Sequence, residues 1–153
     1  MKIETIERDP VEAVVVEVTA PYAEIGEKMG ATFESVGSAL TASGADPAGP
    51  PVAVFLEVED ESAWRVAVGF PVAPPLPELM GLEHMSLPGG ACVVGTHEGP
   101  YDGLAAAWEA VTEYVKEGGL QAAAPPWESY VAAPPAVEDP NKWVTEIIWP
   151  VSG

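Results

Sequence analysis

From Val11 to Val18 the chain reads VEAVVVEV, a β-branched run that predicts a strand buried on both faces or set at a sheet centre. The period then changes. Tyr22, Ile25, Met29, Phe33, Val36 and Leu40 recur at spacings of three and four, so a helix follows, with Thr19 and Pro21 at its start and Gly44 as its terminator. Two extended runs come next, VAVFLEV from Val52 and WRVAVGFPV from Trp64. The acidic stretch Glu59 to Ser62 separates them, which is a hairpin pattern. Pro74, Pro75 and Pro77 can continue neither a helix nor a ladder, so residues 74–88 read as a stiff linker.

After that linker the order returns. GGACVVGTHEG from Gly89 predicts a strand, helical spacing resumes at Tyr101, Leu104, Ala105, Trp108, Val111 and Val115, and Gly118 and Gly119 stop it. WESYV from Trp127 and KWVTEIIWPV from Lys142 supply two last strands across a longer Pro-containing loop. The recurrence has a fixed spacing. Pro21-Tyr22 matches Pro100-Tyr101 at an offset of 79, and Phe70-Pro71-Val72 matches Trp149-Pro150-Val151 at the same offset. Between them, Pro50-Pro51 and Pro125-Pro126 align at 75, so four residues leave the loop after the helix and come back in the hairpin. The expectation is one α+β domain over 1–153, made of repeats 11–73 and 89–151. Two β-α-β-β units related by pseudo-two-fold symmetry would share an antiparallel sheet carrying two helices, with a central cleft where the copies meet.

Composition narrows the function. The 153 residues are 48% hydrophobic, enough for one core, and 24 Asp and Glu against six Lys and Arg give a formal net charge of −18. Nucleic acid and anionic membrane surfaces are excluded as partners, because both are bound by clustered cations that this chain lacks. The acidity reads as a solvated surface, with a cation-attracting field as the sharper alternative. Cys92 is the only cysteine, residues 1–10 hold no apolar run of signal-peptide length, and no stretch nears the ~20 apolar residues of a membrane helix. The expected setting is cytoplasmic. No spacing of His, Cys or Asp suits a metal, and no Gly-rich phosphate loop or Gly-x-Ser-x-Gly elbow occurs, so neither metal nor cofactor is expected.

Glu128 is the candidate for chemistry. It lies in PPWESYVAAPP, where strand alternation sets it on one face with Tyr130 and sets Trp127 and Ser129 on the other. The aligned position of the first repeat is Ala53. Two readings stand for Glu128: the exposed face of a half-buried strand, or a desolvated carboxylate satisfied by a cationic or hydrogen-bond-donating ligand. Tyr22, Tyr101, Trp108, Tyr130, Trp143 and Trp149 are either core or the aromatic wall of a receptor for flat lipophilic cations. Tyr101 and Tyr130 suit ligand contact best, since a buried phenol requires a partner. His97 reads as a capping residue or an acid-base group, His84 falls in the linker, and Cys92 reads as a small buried hydrophobe.

THEGPYDGLAAAWEAVTEYV, then WESYVAAPP, then WVTEIIWPV, resembles the GyrI-like and AraC-type effector-binding domains, most strongly from Val93 to Val151. That resemblance implies a duplicated β-α-β-β fold whose cleft binds lipophilic, often cationic, small molecules. By position in the Glu-x-Tyr motif, the pocket glutamate of multidrug-sensing members falls on Glu128. Many relatives fuse the domain to a DNA-binding module, which this sequence does not contain. Others are described as gyrase-modulating, which would make the partner a protein, and others hydrolyse strained cyclopropanes. In such a hydrolase Glu128 would be the catalytic acid or base, with Tyr101 and Trp108 beside it. Oligomeric state is not encoded in any of these patterns.

Overall fold

In chain order the computed structural model contains β1 (Lys2–Arg8), β2 (Val11–Ala20), α1 (Tyr22–Ser43), β3 (Val52–Glu57), β4 (Trp64–Pro71) and β5 (Glu83–Leu87). These are followed by β6 (Gly90–Glu98), α2 (Leu104–Glu117), β7 (Gln121–Ala122), β8 (Trp127–Ala132) and β9 (Val144–Ser152). Residues 1–58, 60–73, 81–134 and 136–152 are described. The fold is α+β, and every strand pairing below is antiparallel.

The chain forms two compact units. The continuous unit, Val11–Leu87, has strand order β5-β2-β4-β3. Helix α1 packs on β2 and β4, burying Val36 and Leu40 against Val14 and Val72. It ends as the glycine at its terminus dictates. Gly44 adopts φ 81°, a left-handed conformation that costs glycine little, and Ala45 N–H reaches back to the Leu40 carbonyl.

The discontinuous unit joins Met1–Pro10 to Pro88–Gly153, with order β1-β6-β9-β8 and β7 on the end of β9. Its core is Val93, Ala107, Val111, Val115, Ile147 and Val151, each Val or Ile contributing roughly 1.5–3 kcal/mol by burial. Gly95 permits the close approach of α2, for a Cβ there would stand 2.5 Å from Val111 Cγ2.

The ladders of the two units carry matching numbers. Val18↔Val66, Val16↔Val68 and Val14↔Phe70 in one become His97↔Thr145, Gly95↔Ile147 and Val93↔Trp149 in the other on adding 79. Ala53↔Val68 and Phe55↔Val66 become Glu128↔Ile147 and Tyr130↔Thr145, with the first strand shifted by 75. Both hairpins carry an irregularity just beyond, at Phe55/Glu57 and Tyr130/Ala132.

Three sequence expectations change. The linker of 74–88 is shorter than expected: Pro74, Pro75 and Pro77 lie outside the described residues, but Glu83–Leu87 is a strand paired to β2, and His84 sits in it opposite Val14. The segment Lys2–Arg8, for which the sequence pattern predicts no element, is a strand paired along its whole length with β6. The second helix is preceded by a 3₁₀ turn, Tyr101–Gly103, and the last strand begins at Val144 after another, Pro140–Lys142.

Candidate functional site

The Glu-x-Tyr segment lies on β8, and residues two apart on a strand share a face. That places Glu128 and Tyr130 on the side against which α2 lies. Glu128 is 4% exposed, which rules out the solvent-facing reading. Its carboxylate accepts two short hydrogen bonds, from Tyr130 Oη to Oε1 and from Trp108 Nε1 to Oε2, both 2.6 Å. Both donors are neutral. Among the described residues no Lys or Arg pairs with Glu128. Arg8 lies instead over the Trp127 ring, at 5.5 Å, on a residue that alternates to the opposite face of β8.

Burial without a Lys or Arg partner among the described residues sets the electrostatics. Desolvation pushes the Glu128 carboxyl above the usual carboxylate range, opposed by the Tyr130 and Trp108 bonds and by the nearby His97. The Tyr130 phenol is raised well above its ordinary value, by burial first and then by the Glu128 charge. Tyr101 shifts upward for the same two reasons. A carboxylate has about four lone-pair sites, so two bonds leave acceptor capacity unused.

Aromatic rings complete the wall. Tyr101 stacks on Trp143 at 4.7 Å and meets Tyr130 edge-on at 6.1 Å, while Trp108 meets Trp149 at 6.2 Å. Trp143 is held by its Nε1 donating to the Val137 carbonyl at 2.7 Å. Tyr101 remains 37% exposed on its 3₁₀ turn, the outermost piece of the wall. His97 secures that turn: its Nε2–H donates to the Pro100 carbonyl at 2.9 Å. Gly103 fits against the ring, for a Cβ there would lie 2.7 Å from His97 Cε1.

Of the six residues expected to bind, Glu128, Tyr130, Tyr101, Trp108 and Trp143 converge. Tyr22 belongs to the continuous unit, where it is 52% exposed and stacks on Trp64 at 4.8 Å. His97 makes the contact expected of a capping residue, on the Pro100 carbonyl. Trp108 packs its ring against the α2 core and donates its N–H to the carboxylate. Cys92 is free and buried, with burial raising its thiol, as a small hydrophobe should be. Thr145 escaped notice in the sequence: it is 0% exposed and its hydroxyl has no hydrogen-bond partner among the described residues. The signal that finds it is the offset of 79, which sets it against Val66. No group of three metal-ligating side chains occurs among the described residues, nor a helix long and apolar enough to cross a membrane.

No curated protein matches the chain significantly. Solved structures share its fold. The C-terminal domain of EcmrR superposes with a TM-score of 0.85 at 19% identity, covering 99% of this chain and 97% of that one. EcmrR in its DNA complex gives 0.86 at 20%, and there the chain spans 57% of the relative's length and 99% of its own. SAV2435 bound to tetraphenylphosphonium gives 0.73 at 15%, over 100% of this chain and 95% of that one. A hydrolase from Listeria innocua gives 0.61 at 13%, over 99% and 92%. These likenesses agree with a family model that matches residues 1–152, and the chain belongs to the family it describes, the GyrI-like small molecule binding domain.

Proposed function

We propose that this domain binds lipophilic, aromatic cations at Glu128, with Tyr130, Tyr101, Trp108 and Trp143 as the ligand-facing wall. One observation carries the reading: a carboxylate at 4% exposure held by two neutral donors and paired with no Lys or Arg among the described residues. Such a group is costly in the free protein and is best relieved by a positive charge brought from outside. Aromatic faces attract the same ligands. Tyr101, 37% exposed on a short turn, is the part of the wall that an incoming ligand meets first. The tetraphenylphosphonium carried by SAV2435, a protein of the same fold, is a ligand of this chemistry. The matching ladder numbers further support descent of the two units from one duplicated β-α-β-β segment.

Calorimetric titration with tetraphenylphosphonium tests the reading. Wild type binds, and Glu128→Gln costs about 2–5 kcal/mol of affinity. Equal affinities in the two proteins would remove the charge role.

A second reading, hydrolysis of a strained electrophile, draws on the raised carboxyl of Glu128, suited to proton transfer, and on the fold shared with the Listeria innocua hydrolase. Product formation from a cyclopropane-containing alkylator, absent in Glu128→Ala, would establish it. No turnover above that control removes it for that substrate.

A further inference from the structure

Cross-strand pairing places His97, Thr145 and Tyr130 side by side in one row across β6, β9 and β8, all on the face that carries Glu128. The matching row of the continuous unit is Val18, Val66 and Phe55. One row is polar at all three positions, the other apolar at all three.

Thr145 is the telling member. Threonine and valine have nearly the same shape, and Val66 is as fully buried in its place as Thr145 is in its own. The strand framework therefore accepts a branched hydrocarbon here. The hydroxyl does not serve packing, and no protein group among the described residues satisfies it. A buried hydroxyl without a partner lowers stability. Its row neighbours are already engaged: the His97 Nε2–H donates to the Pro100 carbonyl and the Tyr130 hydroxyl donates to Glu128.

We propose that Thr145 is a second polar anchor of the Glu128 site and receives a ligand hydroxyl. This rests on the cation reading for the first anchor. Glu128 is the diagonal neighbour of Thr145 across the β8–β9 ladder, a relation that sets such residues about 7–8 Å apart and their Cβ atoms somewhat closer, near the span of one substituted benzene ring. The ligand class is then a phenolic cation, with its charge and its hydroxyl on opposite sides of one ring.

Two matched probes test this: tetraphenylphosphonium, and the same ion with one para-hydroxyl, (4-hydroxyphenyl)triphenylphosphonium. Wild type favours the hydroxylated ion by roughly 3- to 10-fold. Thr145→Val brings that ratio to near one, and Thr145→Ser, which keeps the hydroxyl, preserves it. Without ligand, Thr145→Val raises Tm by about 2–6 °C, and Val66→Thr lowers it by a similar amount. A ratio of one in wild type, an unchanged ratio in Thr145→Val, or a Tm that falls in Thr145→Val would overturn the proposal. Naphthalene and 2-naphthol repeat the comparison without charge. If the phosphonium ions fail to bind while 2-naphthol still outbinds naphthalene through Thr145, the cation reading fails and the hydroxyl anchor stands. Failure of both pairs overturns both.

Discussion

The two units build one ladder pattern twice and fill it differently. Where the continuous unit has Ala53, Phe55, Val66 and Val18, the discontinuous unit has Glu128, Tyr130, Thr145 and His97. On the helix above, the position of Trp108 is Met29 at the offset of 79. The aromatic cluster around the carboxylate also has a counterpart, for Tyr22, Phe55 and Trp64 gather as Tyr101, Tyr130 and Trp143 do. The difference is therefore polarity and not architecture. Since the apolar version holds the same strands in the same register, the polar groups of the discontinuous unit are not required by the fold.

Moving the carboxylate between units is the strongest way to break this comparison. Ala53→Glu buries an acid where Phe55 and Met29 stand at the positions of the donors Tyr130 and Trp108, and the expected loss is about 3–5 kcal/mol, read from urea midpoints. A loss under about 1 kcal/mol would mean that the continuous unit can host the charge, and that Tyr130 and Trp108 are not what makes Glu128 tolerable. Next in size is Tyr130→Phe, which copies Phe55. It withdraws one donor from Glu128, lowers stability at neutral pH by about 1–3 kcal/mol and drives the carboxyl still higher.

The smallest effect is a slope with pH. Glu128 titrates above the ordinary carboxylate range in the folded protein, so folding favours its protonated form. Between the ordinary value and the raised one the native state holds more protons than the unfolded chain, and stability from this group falls as pH rises, with the full penalty above the raised value. Tm measured against pH should therefore fall more steeply over that window in wild type than in Glu128→Gln. Taking the difference removes the general self-repulsion of a chain at −18. On the proposed cation reading, tetraphenylphosphonium affinity should run the other way, rising over the same window as the carboxylate ionises and staying flat in the variant. Parallel Tm curves would show that Glu128 is not desolvated as its burial requires.

Much of this was legible beforehand, and the rest was hidden for physical reasons. The central strands and both helices announce themselves through local periodicity, and the face shared by Glu128 and Tyr130 follows from a period of two. β1 and β5 did not announce themselves. KIETIER and EHMSL hold few apolar residues because each has just one strand beside it within its unit, and the partner of β1 lies about ninety residues along the chain. Helical spacing placed Trp108 on the packed stripe of α2 but carries no information about where an indole N–H points. Thr145 was silent because a lone threonine in a β run is ordinary; only its ladder partners make it unusual.

The split path of the discontinuous unit also sets an order of events during synthesis. Residues 11–87, a continuous stretch, emerge complete while β6, the partner of β1, has yet to be made. β1 thus leaves the ribosome well ahead of its partner and stays unpaired while the whole continuous unit is made, and long-range pairings of this kind form slowly. Meanwhile it is a bare strand edge. Lys2, Glu4, Glu7 and Arg8 put charge on more than half of its seven residues, the composition by which unpaired edges avoid joining the wrong chain.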